Sequence, residues 1–383
     1  MAVAGRSVLV VGGGVAGLAV ARALALRGAE VRLLEQAPAI SEVGAGLQIS
    51  PNGGRVLDAL SLGATFEAVS QASDAVVLRD SAGRRVIRMP LEGRGRFALA
   101  HRADLISVLE RGAVDAGVEI ALGRRVEDVR LGPTGAIVQL ADGQEVHPDL
   151  LIGADGLHSR VRAAVLGDLA PAFTGQVAWR ALLPAPGDIP AEAQVFLGPG
   201  RHLVAYPVRR SRLLNIVAVE ERAEWAAEGW HHAGDPEALR RAFAGFGGPV
   251  PGWLAKVERC AVWGLHKHPV ADRWHAPGTA LLGDAAHPTL PFLAQGACMA
   301  LEDAWALAAC LDRSEADGLA RYQATRIGRV RRIVAAADGN ARKYHLRGPA
   351  AIAAHTALRL ADRVAPGRVL ARFDWLYGYD VTA

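Results

Sequence analysis

The chain opens with apolar runs that glycines interrupt. Ser7 to Val11 has the composition of a strand, Gly12 to Gly14 break it, and apolar positions with helical spacing then run from Val15 to Arg27. Gly28 stands where a helix C-cap glycine is expected, and a second apolar run follows at Val31 to Leu34. The pattern predicts strand, tight turn, helix and strand over residues 7–35.

The next hundred residues contain more strand patterns than helix patterns. A helix is predicted from Arg102 to Ala116, and short apolar runs of strand type follow it. These runs are Val118 to Ala121, Val126 to Leu131, Ala136 to Leu140 and Leu150 to Ile152. This excess of strands favours a mixed sheet over a pure series of strand–helix–strand units.

From about Phe173 to Trp263 the pattern changes to alternating segments separated by Pro, Gly and Arg turns, which is typical of an antiparallel sheet. A buried strand, Thr279 to Leu282, and two helical patterns then follow. The alternating segments are Val177 to Leu183, His202 to Val208 and Leu213 to Val219, and the helices are Gly296 to Leu311 and Leu319 to Arg342.

These patterns predict an α/β fold with a Rossmann-like domain, an inserted antiparallel-sheet domain and C-terminal helices. The predicted boundaries are residues 1–172 for the first domain, interrupted by strands of the second around 74–100. The second domain, for the substrate, is expected at 173–270, and residues 271–383 return to the first and add the helices.

Composition and charge exclude several classes of protein. The chain has 383 residues, 51% of them hydrophobic, which argues against disorder, and its net charge of +4 comes from arginines spread along the sequence. Nucleic acid is therefore not an expected partner. The three cysteines form no C-x-x-C pair, and neither a signal peptide nor an 18-residue apolar span is present. We expect reduced thiols, no integral membrane segment and a cytoplasmic location.

Gly12, Gly14 and Gly17 form a G-x-G-x-x-G motif between the first strand and the first helix, and Glu35 ends the second strand. The glycines allow a tight turn and a close approach of backbone N–H groups to a pyrophosphate, while the acidic residue accepts ribose hydroxyls. An acidic residue favours a free 2′-hydroxyl, as in NAD and FAD. The glycines alone do not choose between these two.

Two further segments make that choice through a resemblance. Together with the glycine motif, Asp155-Gly156 and Gly283-Asp284 resemble the three fingerprints of the FAD-dependent aromatic hydroxylases of the para-hydroxybenzoate hydroxylase type. Within that family, the chain looks most like the 3-hydroxybenzoate 6-hydroxylases, salicylate hydroxylases and 6-hydroxynicotinate 3-monooxygenases. The resemblance covers nearly the whole chain.

The resemblance implies a monooxygenase that holds FAD and takes electrons from transiently bound NADH or NADPH. O2 would react at flavin C4a, and the resulting hydroperoxide would hydroxylate a small aromatic substrate, a phenolic acid such as hydroxybenzoate or salicylate. Two alternatives stay open: a tailoring enzyme for a larger polycyclic or non-phenolic substrate, and a flavin-binding protein without turnover. The expected assembly is a monomer or homodimer.

The family also implies the cofactor contacts. Asp284 would meet the flavin ribitol, Arg102 the diphosphate, and Asp155 would serve both FAD and the nicotinamide donor. The helix that begins at Gly296 and Ala297 would direct its N-terminus at the flavin pyrimidine edge, where its dipole stabilises negative charge. A turn-capping Asp284 and an exposed Arg102 are the alternative interpretations.

His202 and Tyr206 lie four residues apart on an alternating strand, so both side chains share one face. In the family, such a His takes the phenol proton and the Tyr orients the ring; a hydrogen-bonded sheet histidine is the alternative. Gln48, Arg180 and Pro291 are weaker candidates for the substrate pocket.

A metal is not expected. His266 and His268 would share one strand face, but a third ligand at metal-site spacing is missing.

Overall fold

The structure is a computed structural model and describes residues 3–40, 46–133, 135–222, 224, 232–313 and 316–383. Its strands, in chain order, are β1 (Ser7–Val11), β2 (Glu30–Leu34), β3 (Gly46–Ile49), β4 (Gln71–Ala72), β5 (Ala75–Asp80), β6 (Arg85–Pro90), β7 (Ala98–His101), β8 (Glu119–Ala121), β9 (Val126–Gly132), β10 (Gly135–Leu140), β11 (Glu145–Val146), β12 (Leu150–Gly153), β13 (Ala172–Pro184), β14 (Glu192–Gly198), β15 (Arg201–Val208), β16 (Leu213–Glu221), β17 (Ala233–Gly234), β18 (Cys260–Lys267), β19 (His275–Ala276) and β20 (Thr279–Leu281).

The helices are α1 (Val15–Ala25), α2 (Pro51–Ala59), α3 (Gly63–Val69), α4 (Arg102–Asp115), α5 (Arg160–Leu166), α6 (Pro236–Ala242), α7 (Val250–Ala255), α8 (Gly296–Arg313), α9 (Gly318–Tyr344), α10 (Gly348–Val364), α11 (Pro366–Ala371) and α12 (Asp374–Tyr377). Two 3₁₀ turns, Gly283–Ala285 and Pro291–Leu293, precede α8.

A largely parallel sheet carries the first part of the fold. Among the described residues its strand order is β19-β20-β12-β1-β2-β8, and β1 pairs in parallel with both β2 and β12. The central strands are apolar throughout because both faces of such a sheet are covered. The glycine turn follows β1, so it lies at the carboxyl edge, where ligands of parallel sheets bind. The predicted α/β class is confirmed.

The second sheet is mostly antiparallel. Its described strands run β17-β18-β13-β16-β15-β14-β5-β6, so the hairpin of β5 and β6 joins strands that follow it by about a hundred residues. Strand β14 pairs in parallel with β5. One face of the sheet packs on α6 and α7, with Phe196, Leu203 and Trp253 in that core. The hairpin agrees with the expected interruption around residues 74–100, while the domain boundaries themselves stay a prediction.

The structure differs in several details from the sequence interpretation. Helix α1 ends at Ala25 rather than Arg27, and α2, α3, α5, α6 and α7 have no counterpart among the predicted helices. Strand β18 ends at Lys267, so His268 is not on a strand face with His266. The His268 imidazole instead bonds the Leu157 carbonyl at 3.1 Å. Within the described residues, none of the helices has the length and apolarity that crossing a membrane requires.

A buried ion-pair network joins α8 to α9. The guanidinium of Arg326, which has no solvent exposure, lies 2.6 Å from Glu302 and 2.8 Å from Asp303. Arg329 also pairs with Glu302, at 2.7 Å. Burial raises the pKa of Asp303, but His287 and Arg326 outweigh burial and hold that pKa below its ordinary value. Both carboxylates are therefore charged inside the protein.

The same carboxylates hold two loops. Asp303 accepts hydrogen bonds from the Gly283 N–H at 3.1 Å and from His287 at 2.5 Å. Glu302 accepts from the Asn52 amide at 2.6 Å, at the start of α2. The 3₁₀ turn at Gly283 and the first turn of α2 thus depend on one pair of adjacent acidic residues.

Replacing Arg326 with Met tests this dependence. The substitution leaves two buried carboxylates short of positive charge, so the free energy of unfolding in urea should fall by about 3–5 kcal/mol. Arg331→Met is the matched control, because Arg331 pairs with the exposed Asp272, and its loss should stay below about 1 kcal/mol. Equal losses in the two variants would contradict the role assigned to the network.

Candidate active site

The glycine turn after β1 fits a close backbone approach. Gly12 has φ +106°, and a Cβ there would collide with the Ala154 carbonyl. A Cβ on Gly17 would collide with the Gly12 carbonyl. Both positions therefore require glycine to bring α1 against the edge of the sheet. Gly14 is the N-cap of α1, and because it carries no capping side chain the N–H groups of the first turn are available to an anion.

Glu35 stands beside this turn. Its Oε2 accepts a hydrogen bond from the Gly13 N–H at 2.7 Å, and its Oε1 accepts from the Ala37 N–H at 2.8 Å. Each carboxylate oxygen keeps a second lone pair, so the group can accept ribose hydroxyls while the two N–H groups fix its position.

A cleft of about 690 Å³ opens over the turn. Its lining includes Gly12 to Gly14, Glu35 and Asp155, as predicted, and also basic side chains that the sequence argument did not select: Arg124, Arg125, Arg160 and His268. Strand β8 lies next to β2 in the sheet, so the residues that follow β8 reach the same edge. Excess positive charge here suits an anionic dinucleotide.

Asp155 lines the cleft, and its carboxylate is hydrogen-bonded to neighbouring protein groups. Its carboxylate accepts from the Ser159 hydroxyl, and from the N–H groups of Arg160 at 2.8 Å and Val161 at 3.3 Å. It therefore caps α5, and its backbone lies against Gly12. This arrangement supports a positioning role for Asp155 at the cleft.

Asp284 lies on the 3₁₀ turn at Gly283, and its side chain is solvent-accessible within a concave site. Burial raises the pKa of Asp284, although His287 and Arg102 act to lower it. Arg102 is thus close enough to Asp284 to interact with it. The Arg162 guanidinium holds the turn, donating to the carbonyls of Ala285 at 2.9 Å and Ala286 at 3.3 Å.

The N-terminus of α8 lies next to these groups. Gly296 and Ala297 are partly exposed, while the preceding Gln295 is buried. The Gln295 amide donates to the Ser50 hydroxyl at 2.9 Å and accepts from Asn52 at 3.0 Å. These bonds fix the residue before an 18-residue helix, whose first N–H groups have no partner within the helix.

Contacts link several of the predicted cofactor residues in pairs. Glu35 bonds Gly13, a Cβ on Gly283 would lie 2.9 Å from Ala16 of α1, and Asp284 interacts with Arg102. The lining of the cleft over the glycine turn includes Glu35 but not Arg102, Asp284 or Gly296. Acceptors for hydroxyls and helix N-termini for negative charge are the groups that an extended dinucleotide such as FAD requires.

A second site lies on one face of the eight-stranded sheet. We call this the site face; it carries Arg180 on β13, His202, Val204 and Tyr206 on β15, and Val217 on β16. The register pairs His202 with Val219, Val204 with Val217, Tyr206 with Asn215 and Arg180 with Val217. Val204 and Val217 are only half-buried. They form an apolar floor between the polar side chains.

His202 is 2% exposed and lies among aromatic rings. The Phe292 ring, on the 3₁₀ turn before α8, is 5.2 Å from it between centroids, and Tyr344 is at the same distance. His202 Nδ1 is 2.8 Å from His345 Nε2. Burial, together with His345, lowers the pKa of His202 well below its ordinary value. The imidazole is therefore neutral at physiological pH.

Tyr206 is 4% exposed, and its ring packs against Gly46 at the start of β3. Burial raises the pKa of Tyr206, although Arg180 lowers it, so its hydroxyl stays protonated. Gln48 is half-buried on the same strand, opposite Leu99 of β7. The structure thus brings the strand of Gln48 against Tyr206.

Arg180 and Pro291 differ in their placement. The Arg180 guanidinium lies 5.1 Å from the Trp263 ring centroid and is half-buried on the site face. Pro291 is exposed, and its neighbour Phe292 makes the contact with His202. Phe292, Trp263 and His345 were not selected from the sequence. Within the described part of the chain, His, Cys, Asp and Glu side chains form no group of three or more that could hold a metal.

The chain is similar to known flavoproteins in sequence and in fold. Residues 6–337 match the family model described as FAD binding domain. The chain is 37% identical over 354 residues to 3-amino-4-hydroxybenzoate 2-monooxygenase of Streptomyces cremeus, covering 88% of each protein. It is 33% identical over 393 residues to 3-hydroxybenzoate 6-hydroxylase of Klebsiella oxytoca, covering 97% of this chain and 96% of that protein. A salicylate hydroxylase substrate complex superposes with a TM-score of 0.82 at 25% identity, covering 99% and 96% of the two chains.

The fold and the cleft define a flavoprotein of the monooxygenase class. The chain belongs to the FAD-binding family of flavin-dependent monooxygenases that includes the aromatic hydroxylases. The predicted family, the FAD cofactor and the monooxygenase class are confirmed, whereas the roles of individual residues stay predictions.

The Gly14→Ala variant tests the contact with the cofactor without disturbing the fold. Gly14 has φ −80°, which alanine adopts, and a Cβ there has no protein atom within 4 Å among those described. The apoprotein should therefore melt like the wild type, while the methyl group crowds the pyrophosphate and raises the Kd for FAD about tenfold, or about 1.4 kcal/mol. Titration of apoprotein by flavin fluorescence measures this Kd.

Gly252→Ala on α7 is the matched control, because its Cβ also meets no described atom within 4 Å and it is remote from the cleft. It should leave the Kd unchanged and the melting temperature the same or slightly higher, because alanine favours a helix more than glycine does. Wild-type affinity for FAD in Gly14→Ala would show that the turn does not face the cofactor.

Proposed function

We propose that this protein hydroxylates a small phenolic aromatic acid, using NADH or NADPH as the electron donor and O2 as the oxidant. The observation that carries the proposal is the site face, where a neutral histidine, a neutral tyrosine and an arginine surround an apolar floor. The relatives' substrates, as their names give them, are hydroxybenzoates, which supports the same class.

The register sets the spacing of the polar groups. His202 and Tyr206 are four residues apart on β15, or about 13 Å along the strand. Arg180 lies on β13, two strands away and halfway along that interval, which places its Cα about 12 Å from either Cα. A benzene ring on the Val204 and Val217 floor can then direct a phenol at His202 and a carboxylate at Arg180.

His202 is the proposed base. Its neutral imidazole can accept a proton, which makes the ring more electron-rich and thus more reactive toward an electrophilic oxidant. Even an ordinary imidazole is about 3.5 pKa units weaker as a base than a phenolate, a difference of about 5 kcal/mol. The positive charge of Arg180 stabilises the ionised ring and reduces that cost. Tyr206 keeps its proton and can donate a hydrogen bond that orients the substrate.

Bound FAD supplies the reducible ring and the oxygen-transfer chemistry. In this proposal Gly12, Gly14, Gly17 and Glu35 hold its adenosine diphosphate half, Arg102 and Asp284 its centre, and the α8 N-terminus its flavin end. Asp155 positions α5 at the cleft. The chain's own residues bind the ring, exclude water through Phe292 and Tyr344, and move the phenol proton.

The proposal also covers the domain organisation, the location and the assembly of the protein. We assign residues 1–172 and 271–383 to the cofactor domain, and residues 173–270 with the β5–β6 hairpin to the substrate domain. The thiols of Cys260, Cys298 and Cys310 are free, which suits the reducing cytoplasm where NAD(P)H is available. In this proposal the protein is a monomer or homodimer and does not bind nucleic acid.

The direct test measures NAD(P)H oxidation with the purified FAD-loaded protein in the presence of 2-, 3- and 4-hydroxybenzoate, benzoate and phenol. At least one hydroxybenzoate should stimulate oxidation and yield a hydroxylated product, while benzoate should give H2O2. A panel of larger polycyclic phenols tests the alternative substrate class. Tight binding of these compounds without NAD(P)H consumption would contradict turnover altogether.

Arg180→Met should raise KM for the active hydroxybenzoate about 10- to 100-fold, because a charge-assisted hydrogen bond contributes about 1.5–3 kcal/mol. Affinity for the matching phenol, which lacks the carboxylate, should not change. Arg130→Met, at an exposed pair with Glu145 on the distant β9–β10–β11 sheet, is the control. An equal loss of affinity for phenol and acid would remove Arg180 from carboxylate recognition.

His202→Gln should lower the rate of hydroxylation about 100-fold, while the reduction of FAD by NAD(P)H continues and H2O2 rises. Since burial lowers the pKa of His202 well below its ordinary value, the wild-type enzyme should keep hydroxylation as the pH falls through about 6.5 and lose it only well below that pH, where the base becomes protonated. An unchanged product yield in His202→Gln would exclude His202 as the base.

A further inference from the structure

A chain of hydrogen bonds leads from His202 to the protein surface. His202 Nδ1 lies 2.8 Å from His345 Nε2, and His345 Nδ1 lies 3.0 Å from Glu221 Oε1. The other Glu221 oxygen accepts from Arg347 at 2.6 Å. Solvent exposure increases along this series of hydrogen bonds: His202 is 2% exposed and His345 5%, while the Glu221 side chain is 43% exposed. The series thus joins a buried imidazole to solvent.

The chemistry of the end group sets the direction of every bond. A carboxylate only accepts, so His345 Nδ1 carries a hydrogen and donates to Glu221. Neutral His345 then has its lone pair on Nε2, and His202 Nδ1 must donate to it. His202 consequently has its lone pair on Nε2. The Glu221 carboxylate therefore sets the tautomer in which His202 can accept a proton.

The secondary-structure elements around these hydrogen bonds hold His202 and His345 in place. His345 is the C-cap of α9, and its carbonyl accepts from the Gly200 N–H at 3.2 Å. Gly200, between β14 and β15, has φ +68°, and a Cβ there would collide with the Arg347 guanidinium. The hairpin that carries His202 is therefore fitted closely to the residues that carry His345 and Arg347.

We propose that His202, His345 and Glu221 form a proton relay that carries the substrate's phenol proton to solvent. This proposal rests on the proposed function, because the relay needs a phenol to deprotonate. The substrate O–H bond breaks as an N–H bond forms at His202 Nε2. The Nδ1 proton of His202 moves to His345 Nε2, and the Nδ1 proton of His345 moves to Glu221 and then to water. The same transfers in reverse protonate the product phenolate and restore the starting tautomers.

The relay shortens the time for which His202 must hold the proton. A base weaker than a phenolate returns the proton to the substrate unless it passes it on, so the relay speeds transfer, while the equilibrium is shifted toward the ionised ring by the charge of Arg180. Burial is the main reason that His345 stays neutral. Burial lowers its pKa, Glu221 raises it, and Arg347 and Arg201 lower it, with a net decrease. His202 itself faces His345, Phe292 and Tyr344. His345 is therefore a positioning and transfer residue rather than a group that touches the substrate.

The experiment follows proton release directly. FAD-loaded protein, without NAD(P)H, is mixed in a stopped-flow instrument with each hydroxybenzoate isomer in weakly buffered solution containing phenol red. Ligand binding is followed separately through the flavin absorbance. In the wild type, we expect a proton to appear in solution with the active isomer. His345→Gln should bind that isomer with an affinity within about threefold of wild type but release the proton at least about tenfold more slowly.

Two further variants separate relay from packing. Glu221→Gln keeps both histidines but removes the terminal acceptor, so proton release should also slow, by about three- to tenfold. In His345→Ala, added imidazole should restore part of the lost rate, which a merely structural role does not predict. His275→Gln and Glu237→Gln, on β19 and α6, are matched controls and should release protons like the wild type.

The outcomes distinguish the relay from the function on which it rests. Wild-type rates of proton release in both His345→Gln and Glu221→Gln, with normal hydroxylation by the wild type, would overturn the relay alone. Absence of both hydroxylation and proton release in the wild type with all three isomers would overturn the proposed function and the relay together. If His345→Gln loses FAD or fails to fold, the rate in Glu221→Gln decides.

Discussion

Two adjacent acidic residues, Glu302 and Asp303, carry charge in the interior of this protein, and Arg326 compensates both. From this point Asp303 holds the 3₁₀ turn of Gly283 and Asp284, while Glu302 holds Asn52 at the start of α2. Moving charges out of water is costly, so a buried ion pair adds little to the net free energy of folding. Its main effect here is to fix the positions of the two loops. The 3₁₀ turn at Gly283 and the first turn of α2 keep their places because separating these buried ions would be costly.

The sheet register is the second constraint. Successive residues of β15 point to opposite faces, so Leu203 and Ala205 enter the core under α6 and α7 while His202, Val204 and Tyr206 form the site face. A one-residue slip would exchange the two sets. The spacing between the proposed base and the proposed carboxylate ligand is therefore fixed by backbone hydrogen bonds, and the side chains need little freedom to reach the ring.

The sequence was informative where the determinants are local. Gly12, Gly17 and Glu35 belong to one continuous strand–turn–helix–strand unit, and strand alternation alone placed His202 beside Tyr206 on one face. It was silent where partners are distant, because no spacing rule relates His202 to His345, which lies 143 residues away. Asp155 is a third case: its motif marked a residue that lines the cleft, but not the hydrogen bonds of its carboxylate to the first turn of α5.

The half-buried valine floor has a thermodynamic consequence. Val204 and Val217 are surrounded by buried neighbours yet remain in contact with water. A ring that covers them transfers apolar surface on both molecules out of water, so association carries a negative heat capacity change. The enthalpy of binding then becomes more favourable as temperature rises, while the entropy becomes less so. Ligand recognition at this face is thus partly a property of the solvent that leaves it.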